Sequence, residues 1–457
     1  MFLRFIKENQ DKFAFKVISI LLLILGLSVH LRFENSVVRS ADSELQMDFP
    51  AYYVTGKVVE AGLDPYESEN IKLYSELNSI PYTVYRSIHY PPPFLILTQL
   101  FIQTDILTAQ KYFSHFKYFL YLVTIFMTIG YVTRYQTEIK IDRNTYIFFC
   151  GLVLTLFARF WPIQNDFLNG QINILAMFLI VISVLFIENP ILSGFSMAIA
   201  ILMKLNPVLF LVFFFFKKEY KNIFYTLLFI GIFSLISIIS FGLELHLNYI
   251  KNLLLGFLTS DKIQFLSWPI SIAHNQTIKG FFYRLFVMDF MDPHFGTKVL
   301  IDAPLFGKIS AFLVNLLILF YVLLKSFQSM HLKNSTANNL LLFSLYTNCI
   351  LLISPISWVH HKVLLIPVNI VLLFKLIRIQ EYKKEDYFLL FLFASSLILL
   401  SINHLYPYNQ LEYFGIIFSY IHLIGNLINL YIVSVFLNRN LKQNNKNIHE
   451  GPNIYHI

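Results

Sequence analysis

Long apolar runs recur along almost the whole chain and limit what it can fold into. About twelve such segments can be read, at residues 17–29, 92–103, 112–133, 145–160, 171–187, 191–216, 222–242, 305–324, 338–353, 362–377, 387–402 and 414–436. Runs of about 18 apolar residues are typical of helices that cross a bilayer. Because lipid offers the backbone no hydrogen-bond partner, and because the runs are continuous rather than alternating, they favour helices over a barrel. We predict an all-α, polytopic integral membrane protein.

The composition agrees with a membrane protein and argues against two other interpretations. Charged residues make up 14% of the chain and the mean hydropathy is +0.61, whereas soluble domains are about one quarter charged. The net charge of +8 could suggest nucleic acid. Most of the excess, however, lies in short connecting segments and at the two ends, as the positive-inside rule expects of cytoplasmic loops. Cys150 and Cys349 fall inside apolar runs, so we expect core residues and no disulfide.

The distribution of Lys and Arg predicts the topology. Residues 1–16 carry four basic side chains, and no small-residue cleavage site follows promptly, so we expect an uncleaved first helix with a cytoplasmic N-terminus. We place loops 33–90 and 243–304 outside and the C-terminus inside. We leave open the side of residues 165–171.

The chain is expected to form one membrane domain, residues 1–437, followed by a polar tail. The tail, 438–457, is rich in Asn and Lys, so we predict that it is disordered in the cytoplasm. Residues 49–61 and 67–77 of the first outer loop have helical spacing with apolar side chains on one side. We expect these two segments to lie flat in the membrane interface.

The first outer loop contains an acid among aromatic residues. Asp48-Phe49 is followed by Tyr52 and Tyr53, and then by Gly62 and Asp64-Pro65-Tyr66. One acid in an aromatic-lined interfacial site could act as a general base, since burial raises a carboxyl pKa. The alternative is a solvated loop acid beside interfacial tyrosines, with Asp64-Pro65 forming a turn.

Two polar motifs interrupt the apolar runs. Lys204 lies in the middle of 191–216 and is followed by Asn206-Pro207. A lysine within a membrane segment is costly and usually functional, and proline kinks a helix, so we predict a broken helix whose ammonium meets a phosphate. Snorkelling to the interface is the alternative. The second motif places Gln171 and Asn173 after Gly170, where they either bind a partner or cap a helix end.

Three further motifs lie near the predicted outer boundary. The run His89 to Pro93 starts a helix through its prolines, and Tyr90 could still face a ligand. Asn275-Gln276 and Arg284 lie in the second outer loop. His360 and His361 could share a proton with a carboxylate or donate to a phosphate. Because adjacent histidines on a helix point about 100° apart, they make a poor two-ligand metal site, and we expect neither a metal nor a cofactor.

Taken in order, these motifs resemble those of glycosyltransferase family 87. The matching pieces are Asp48-Phe49 with Tyr52-Tyr53, Gly62 through Tyr66, Tyr90-Pro91-Pro92, Gly170 through Asn173, Lys204 with Pro207, and Ser354-Pro355 through His361. They span roughly residues 45–375. Position 206 departs from the pattern, because the resemblance leads us to expect a small or hydroxyl residue there rather than Asn. The resemblance implies a GT-C-type bundle of about twelve transmembrane helices with interfacial helices on the outer face.

The resemblance also implies a function. It suggests an inverting, metal-independent hexosyltransferase of the cell membrane, which takes a sugar, typically mannose, from a polyprenyl phosphate and passes it to a lipid or glycan acceptor on the outer face. The family's catalytic aspartate corresponds to Asp48, which would be the general base. The other predicted site residues would bind substrate: Tyr52, Tyr53, Tyr90, Gln171, Asn173, Lys204, Asn275, Gln276, Arg284, His360 and His361.

Two other functions stay open on the sequence. A transporter or flippase of lipid-linked sugars would have related halves with broken helices in corresponding positions, whereas only residues 204–207 suggest a break. Another GT-C enzyme, such as a glycan polymerase or ligase, is the second alternative. A nucleic-acid partner is not expected.

Overall fold

The computed structural model describes residues 12–80, 90–135, 142–254, 262–263, 268–287, 299–330, 336–379, 382–403 and 419–449. His89, the first residue of the proline motif, lies outside the described residues. Within them the chain is almost entirely helical. The strands described there are a two-residue antiparallel pair, β1 (Lys262–Ile263) and β2 (Trp268–Pro269). The all-α prediction is therefore confirmed for the described part of the chain.

Ten helices occupy the first half of the chain. They are α1 Phe13–Phe33, α2 Phe49–Glu60, α3 Ser68–Leu77, α4 Leu95–Phe101, α5 Ile106–Tyr135, α6 Arg143–Phe157, α7 Trp161–Asn169, α8 Asn173–Leu185, α9 Pro190–Met203 and α10 Phe210–Phe216, as far as the chain is described. The predicted helices at 49–61 and 67–77 are thus present as α2 and α3.

The second half adds eight helices among the described residues. They are α11 Tyr220–Phe241, α12 Leu243–Asn248, α13 Ile278–Phe286, α14 Pro304–Ser329, α15 Thr336–Ile353, α16 Leu365–Ile377, α17 Lys384–Ser401 and α18 Ile421–His449. Short 3₁₀ turns at Pro92–Phe94 and Val359–Leu364 lead into α4 and α16. The prolines of the first turn fit this position because proline is tolerated at the start of a helix.

Six of the described helices are long and apolar enough to cross a membrane, or seven spans if the bent pair α6–α7 counts as one. The chain is therefore a polytopic membrane protein. The axes of α6 and α7 differ by 64°. Several of the predicted spans are shorter apolar helices, such as α8 and α9. The sequence predicts about twelve spans, and the described helices supply six or seven of them.

The predicted break at Lys204 is confirmed. Helix α9 ends at Met203, and Lys204 has an extended backbone with φ −150° and ψ 129°. A 3₁₀ turn from Asn206 to Leu209 includes Pro207, which supplies no N–H for a continued helix, and α10 then starts at Phe210.

Helix α18 continues to His449 and so includes the first residues of the predicted tail 438–457, whose disorder stays a prediction. Tertiary contacts hold the first part of this segment. Helix α18 packs against α15 and α17. Arg439 forms an ion pair with Asp386 at 2.6 Å, and Asn440 donates to Asn338. Tertiary contacts at Arg439 and Asn440 thus stabilise α18 at the point where its sequence becomes polar.

The packing brings the polar motifs to one end of the central helices. Helix α7 packs against the 3₁₀ turn Val359–Leu364, and α8 packs against both α5 and that turn. Helix α2 packs against α4, with Phe49 and Tyr52 fully buried in the main core. The turn between α7 and α8 therefore lies next to the Asp48 segment and the two adjacent histidines.

Candidate active site

Asp48 occupies the N-cap position of α2 but does not act as a cap. Aspartate at this position usually accepts from the first backbone N–H groups of its helix, and its carboxylate makes no such bond here. Instead Oδ2 accepts a 2.7 Å hydrogen bond from Nε2 of Gln171. The backbone N–H of Asp48 donates to the carbonyl of Asn169 at 2.7 Å. The carboxylate is thus directed across the molecule towards the α7–α8 turn.

Gly170 allows that turn to approach Asp48. Its φ is +71°, the left-handed conformation that glycine adopts most easily. A Cβ at this position would lie 2.6 Å from Oε1 of Gln46 and 2.8 Å from Cβ of Phe49. Gly170 is therefore required both by the backbone conformation and by the contact with the chain on either side of Asp48.

Two tyrosines fix the orientation of Gln171. The hydroxyls of Tyr52 and Tyr90 lie 3.2 and 3.3 Å from Oε1 of Gln171, and they lie 3.1 Å from each other. Because these hydroxyls donate to the amide oxygen, the amide nitrogen faces Asp48. The structure therefore brings together the predicted residues Tyr52, Tyr90 and Gln171, and their contacts position the carboxylate.

The environment of Asp48 shifts its titration. Burial raises the pKa of this carboxyl to about 6, while the hydrogen bond from Gln171 and the charge of Lys204 act in the opposite direction. The negative charge of Asp166 also raises this pKa, and the positive charge of Lys117 lowers it. A carboxyl with a pKa near 6 accepts a proton more readily than an ordinary aspartate and is still mostly ionised at neutral pH.

Lys204 is held by two other predicted residues. Its ammonium donates to Oδ1 of Asn173 and lies 2.9 Å from Nε2 of His361. Because an ammonium can only donate, Nε2 of His361 has to accept, which requires a neutral imidazole. A protonated amine fixed at a helix break is a suitable partner for a phosphate.

His360 contacts the end of α7, next to the turn that approaches Asp48. Its Nδ1 lies 3.1 Å from Oδ1 of Asn165 and 3.2 Å from Nδ2 of Asn169. Asn169 in turn accepts from the backbone of Asp48. Of the two histidines, His361 contacts the cation, and His360 contacts the turn that holds the carboxylate.

Two functional candidates were missed by the sequence analysis. Lys117 and Asp166 are fully buried and form an ion pair at 3.1 Å. The Lys117 ammonium also lies over the rings of Phe113 and Phe167, at 5.2 and 4.7 Å from their centroids. The argument applied to Lys204, that a charge inside an apolar helix is costly, also applies to Lys117 in α5 and could have found this pair.

Three predicted site residues make their described contacts elsewhere, and a fourth, Arg284, lies in another helix. The Asn275 amide donates to the carbonyl of Pro355 and accepts from the backbone N–H of Ser357. The Gln276 amide donates to the carbonyl of Ser419 and accepts from the backbone N–H of Leu423. The Tyr53 hydroxyl donates to the carbonyl of Thr104, and Arg284 is buried in α13. The described contacts give Asn275, Gln276 and Tyr53 structural roles, and substrate contact by these four stays a prediction.

Across the described segments, no three His, Cys, Asp or Glu side chains converge in a way that could hold an ion. Cys150 and Cys349 are both free and buried, as the sequence predicted.

A comparison with protein families identifies the chain. The family model described as glycosyltransferase family 87 matches residues 89–355, which is more than half of the sequence. The chain belongs to glycosyltransferase family 87. It is therefore a membrane glycosyltransferase. The match includes Tyr90, Gln171, Asn173 and Lys204, whereas Asp48 and the two histidines lie outside it. A search of curated proteins finds no match.

Proposed function

We propose that this family 87 protein transfers a hexose from a polyprenyl-phosphate sugar to a lipid or glycan acceptor on the outer face of the cell membrane. Mannose is the sugar implied by the sequence resemblance. The proposal includes inversion at the anomeric carbon, no metal requirement, a GT-C architecture and cytoplasmic termini. The observation that carries it is the Asp48 carboxylate, which is held by Gln171 and has a pKa near 6.

Asp48 supplies the general base that this chemistry needs. The acceptor hydroxyl attacks the anomeric carbon, its proton passes to the Asp48 carboxylate, and the bond from that carbon to the phosphate oxygen breaks. One Asp48 oxygen accepts from Gln171, and among the described residues the other has no hydrogen-bond partner, so it is left for the hydroxyl. A single base is sufficient for inversion, because the attack and the departure occur on opposite faces of the sugar.

Lys204 stabilises the leaving phosphate. Charge develops on this group as the glycosidic bond breaks, and a fixed cation placed there lowers the barrier. Asn173 and His361 engage two of the three N–H groups of the ammonium, which leaves one for a phosphate oxygen. Since both partners are fixed by the fold, the ammonium does not have to reorganise during the reaction.

Asp48→Asn tests the proposal. The amide cannot take a proton at neutral pH, so transfer from a labelled polyprenyl-phosphate mannose should fall by about 10²-fold or more. The matched control is Asp64→Asn in the same loop. Oδ1 of Asp64 accepts from the backbone N–H of Tyr66, a turn contact that asparagine can also make, so this variant should retain activity.

The assay should measure the glycosylated product in purified protein reconstituted into vesicles, with and without a chelator. Retained transfer in Asp48→Asn would remove this residue from the mechanism, and loss of transfer on chelation would contradict the metal-free reaction. A transporter of lipid-linked sugars would instead move the donor across the bilayer without consuming it, so donor movement with no product would favour that alternative.

A further inference from the structure

The ion pair between Lys117 and Asp166 has no part in the chemistry proposed so far. Both side chains are fully buried, so neither can touch a substrate. A buried pair costs much desolvation energy, and apolar residues of similar volume are often as stable. Within membrane helices the cost is greater, and ionisable residues there usually serve a function.

We infer that Lys117 and Asp166 are positioning residues that hold Gln171 and Asn173, and through them Asp48 and Lys204, in the geometry of sugar transfer. This inference rests on the proposed roles of Asp48 and Lys204. It assigns a task to a pair of residues that lie on helices α5 and α7, apart from the reacting atoms.

The contacts of Lys117 lead towards the base. Its ammonium donates to the backbone carbonyl of Gln171 at 2.8 Å and to the carbonyl of Asp166 at 3.2 Å, besides the carboxylate. These three bonds use all three N–H groups. They fix the backbone of Gln171, whose side chain donates to Asp48.

The contacts of Asp166 lead towards the cation. Its Oδ1 accepts from Lys117 and its Oδ2 accepts from Nδ2 of Asn173 at 2.9 Å. Because the Asn173 amide turns its nitrogen to Asp166, its oxygen is left for Lys204. A residue at position 166 therefore needs two acceptor oxygens, one for each neighbour, which only a carboxylate supplies.

An exchange of side chains tests this directional requirement. Asp166→Asn has one acceptor oxygen, and its amide nitrogen would meet the amide nitrogen of Asn173. Asn173→Asp would place two carboxylates against each other. The double variant restores the pattern of donors and acceptors. The new amide at position 166 would accept from Lys117 and donate to the new carboxylate at position 173. That carboxylate would in turn accept from Lys204. We expect each single variant to lose about 10- to 100-fold in transfer rate and the double variant to recover most of that loss.

The pH dependence of kcat/KM separates positioning from a structural role. Asp166, Lys117 and Lys204 are the charged groups whose fields act on Asp48 among the described residues. Removing the negative charge in Asp166→Asn should lower the pKa of Asp48 and move the acidic limb of the profile to lower pH. In the double variant a negative charge returns next to Lys204, so the limb should move back towards that of the unmodified protein.

The unmodified protein, the two single variants and the double variant should be purified in detergent. Their transfer rates should be normalised to the monodisperse fraction. The inference is overturned if the double variant is no more active than the better single variant, or if the Asp166→Asn limb does not move. Should a single variant fail to fold, the double variant alone decides, because it is expected to be within about tenfold of the unmodified protein. Asp48→Asn is assayed in parallel. If that variant stays active, the proposed function fails, whereas an inactive Asp48→Asn with no recovery in the double variant refutes only the positioning inference.

Discussion

Gly170→Ala should damage the site more than alanine at Gly62 or Gly231. The left-handed conformation of an alanine costs about 1–2 kcal/mol. The new Cβ would also lie 2.6 Å from Oε1 of Gln46 and 2.8 Å from Cβ of Phe49, and such overpacking typically costs about 1–3 kcal/mol. We expect a total loss of about 2–5 kcal/mol of stability.

Two other glycines separate these contributions. Gly62 has a φ of +73° and no neighbour within 4 Å of a Cβ, so Gly62→Ala should show only the backbone strain. Gly231 lies within α11, also with no neighbour within 4 Å, and its alanine variant should be neutral or stabilised by up to about 1 kcal/mol. Thermal unfolding in detergent should rank the three variants Gly231→Ala, Gly62→Ala and Gly170→Ala in order of falling midpoint.

The effect on catalysis should exceed the effect on stability. Gln46 and Phe49 flank Asp48, so the overlap at Gly170 displaces the carboxylate from Gln171, and a shift of about 1 Å can cost about 10²-fold in rate. Transfer by the folded fraction should therefore fall in Gly170→Ala and not in Gly62→Ala. Equal midpoints and equal rates for these two variants would show that the close approach of the turn to Asp48 does not matter.

Two further predictions concern the base. The value of kcat/KM should fall as the pH decreases through about 6, where Asp48 takes up a proton. An ordinary aspartate would give this fall near pH 4. A fall near pH 4 in an otherwise stable protein would contradict the assignment of Asp48 as the base. Tyr52→Phe and Tyr90→Phe should each have a small effect, because the other hydroxyl still donates to Gln171. The double variant leaves that amide oxygen unpaired and should lose roughly 10- to 100-fold in rate, and simple additivity of the two single effects would argue against the shared contact.

The membrane helices could be predicted because each one is encoded by a continuous apolar run in the sequence. Apolar runs give the helices, and Lys204 with Pro207 gives the break between α9 and α10. The continuation of α18 past residue 437 could not be found in this way. Arg439 and Asn440 bind side chains more than fifty residues away in sequence, and such contacts leave no local signal.

The site was predictable only in part, because side-chain direction depends on tertiary contacts. Asp48 was found as an acid in an aromatic segment, but its position before a helix would equally suit an ordinary cap. Asn275 and Gln276 looked like ligand-binding amides, and their described bonds join loops to one another. A short polar motif does not reveal which way its amides face.

The turn between α7 and α8, rather than the Asp48 loop, is the centre of the site. Residues 165–173 contact three parts of it: Gln171 and Asn169 bind Asp48, Asn173 binds Lys204, and Asn165 and Asn169 contact His360. This turn lies inside the range that matches the family, whereas Asp48 and the histidines lie outside it. The family match therefore includes the residues of this turn that hold Asp48 and Lys204, together with Lys204 itself. Residues 165–173 would then keep the base and the cation in place whichever sugar and acceptor bind.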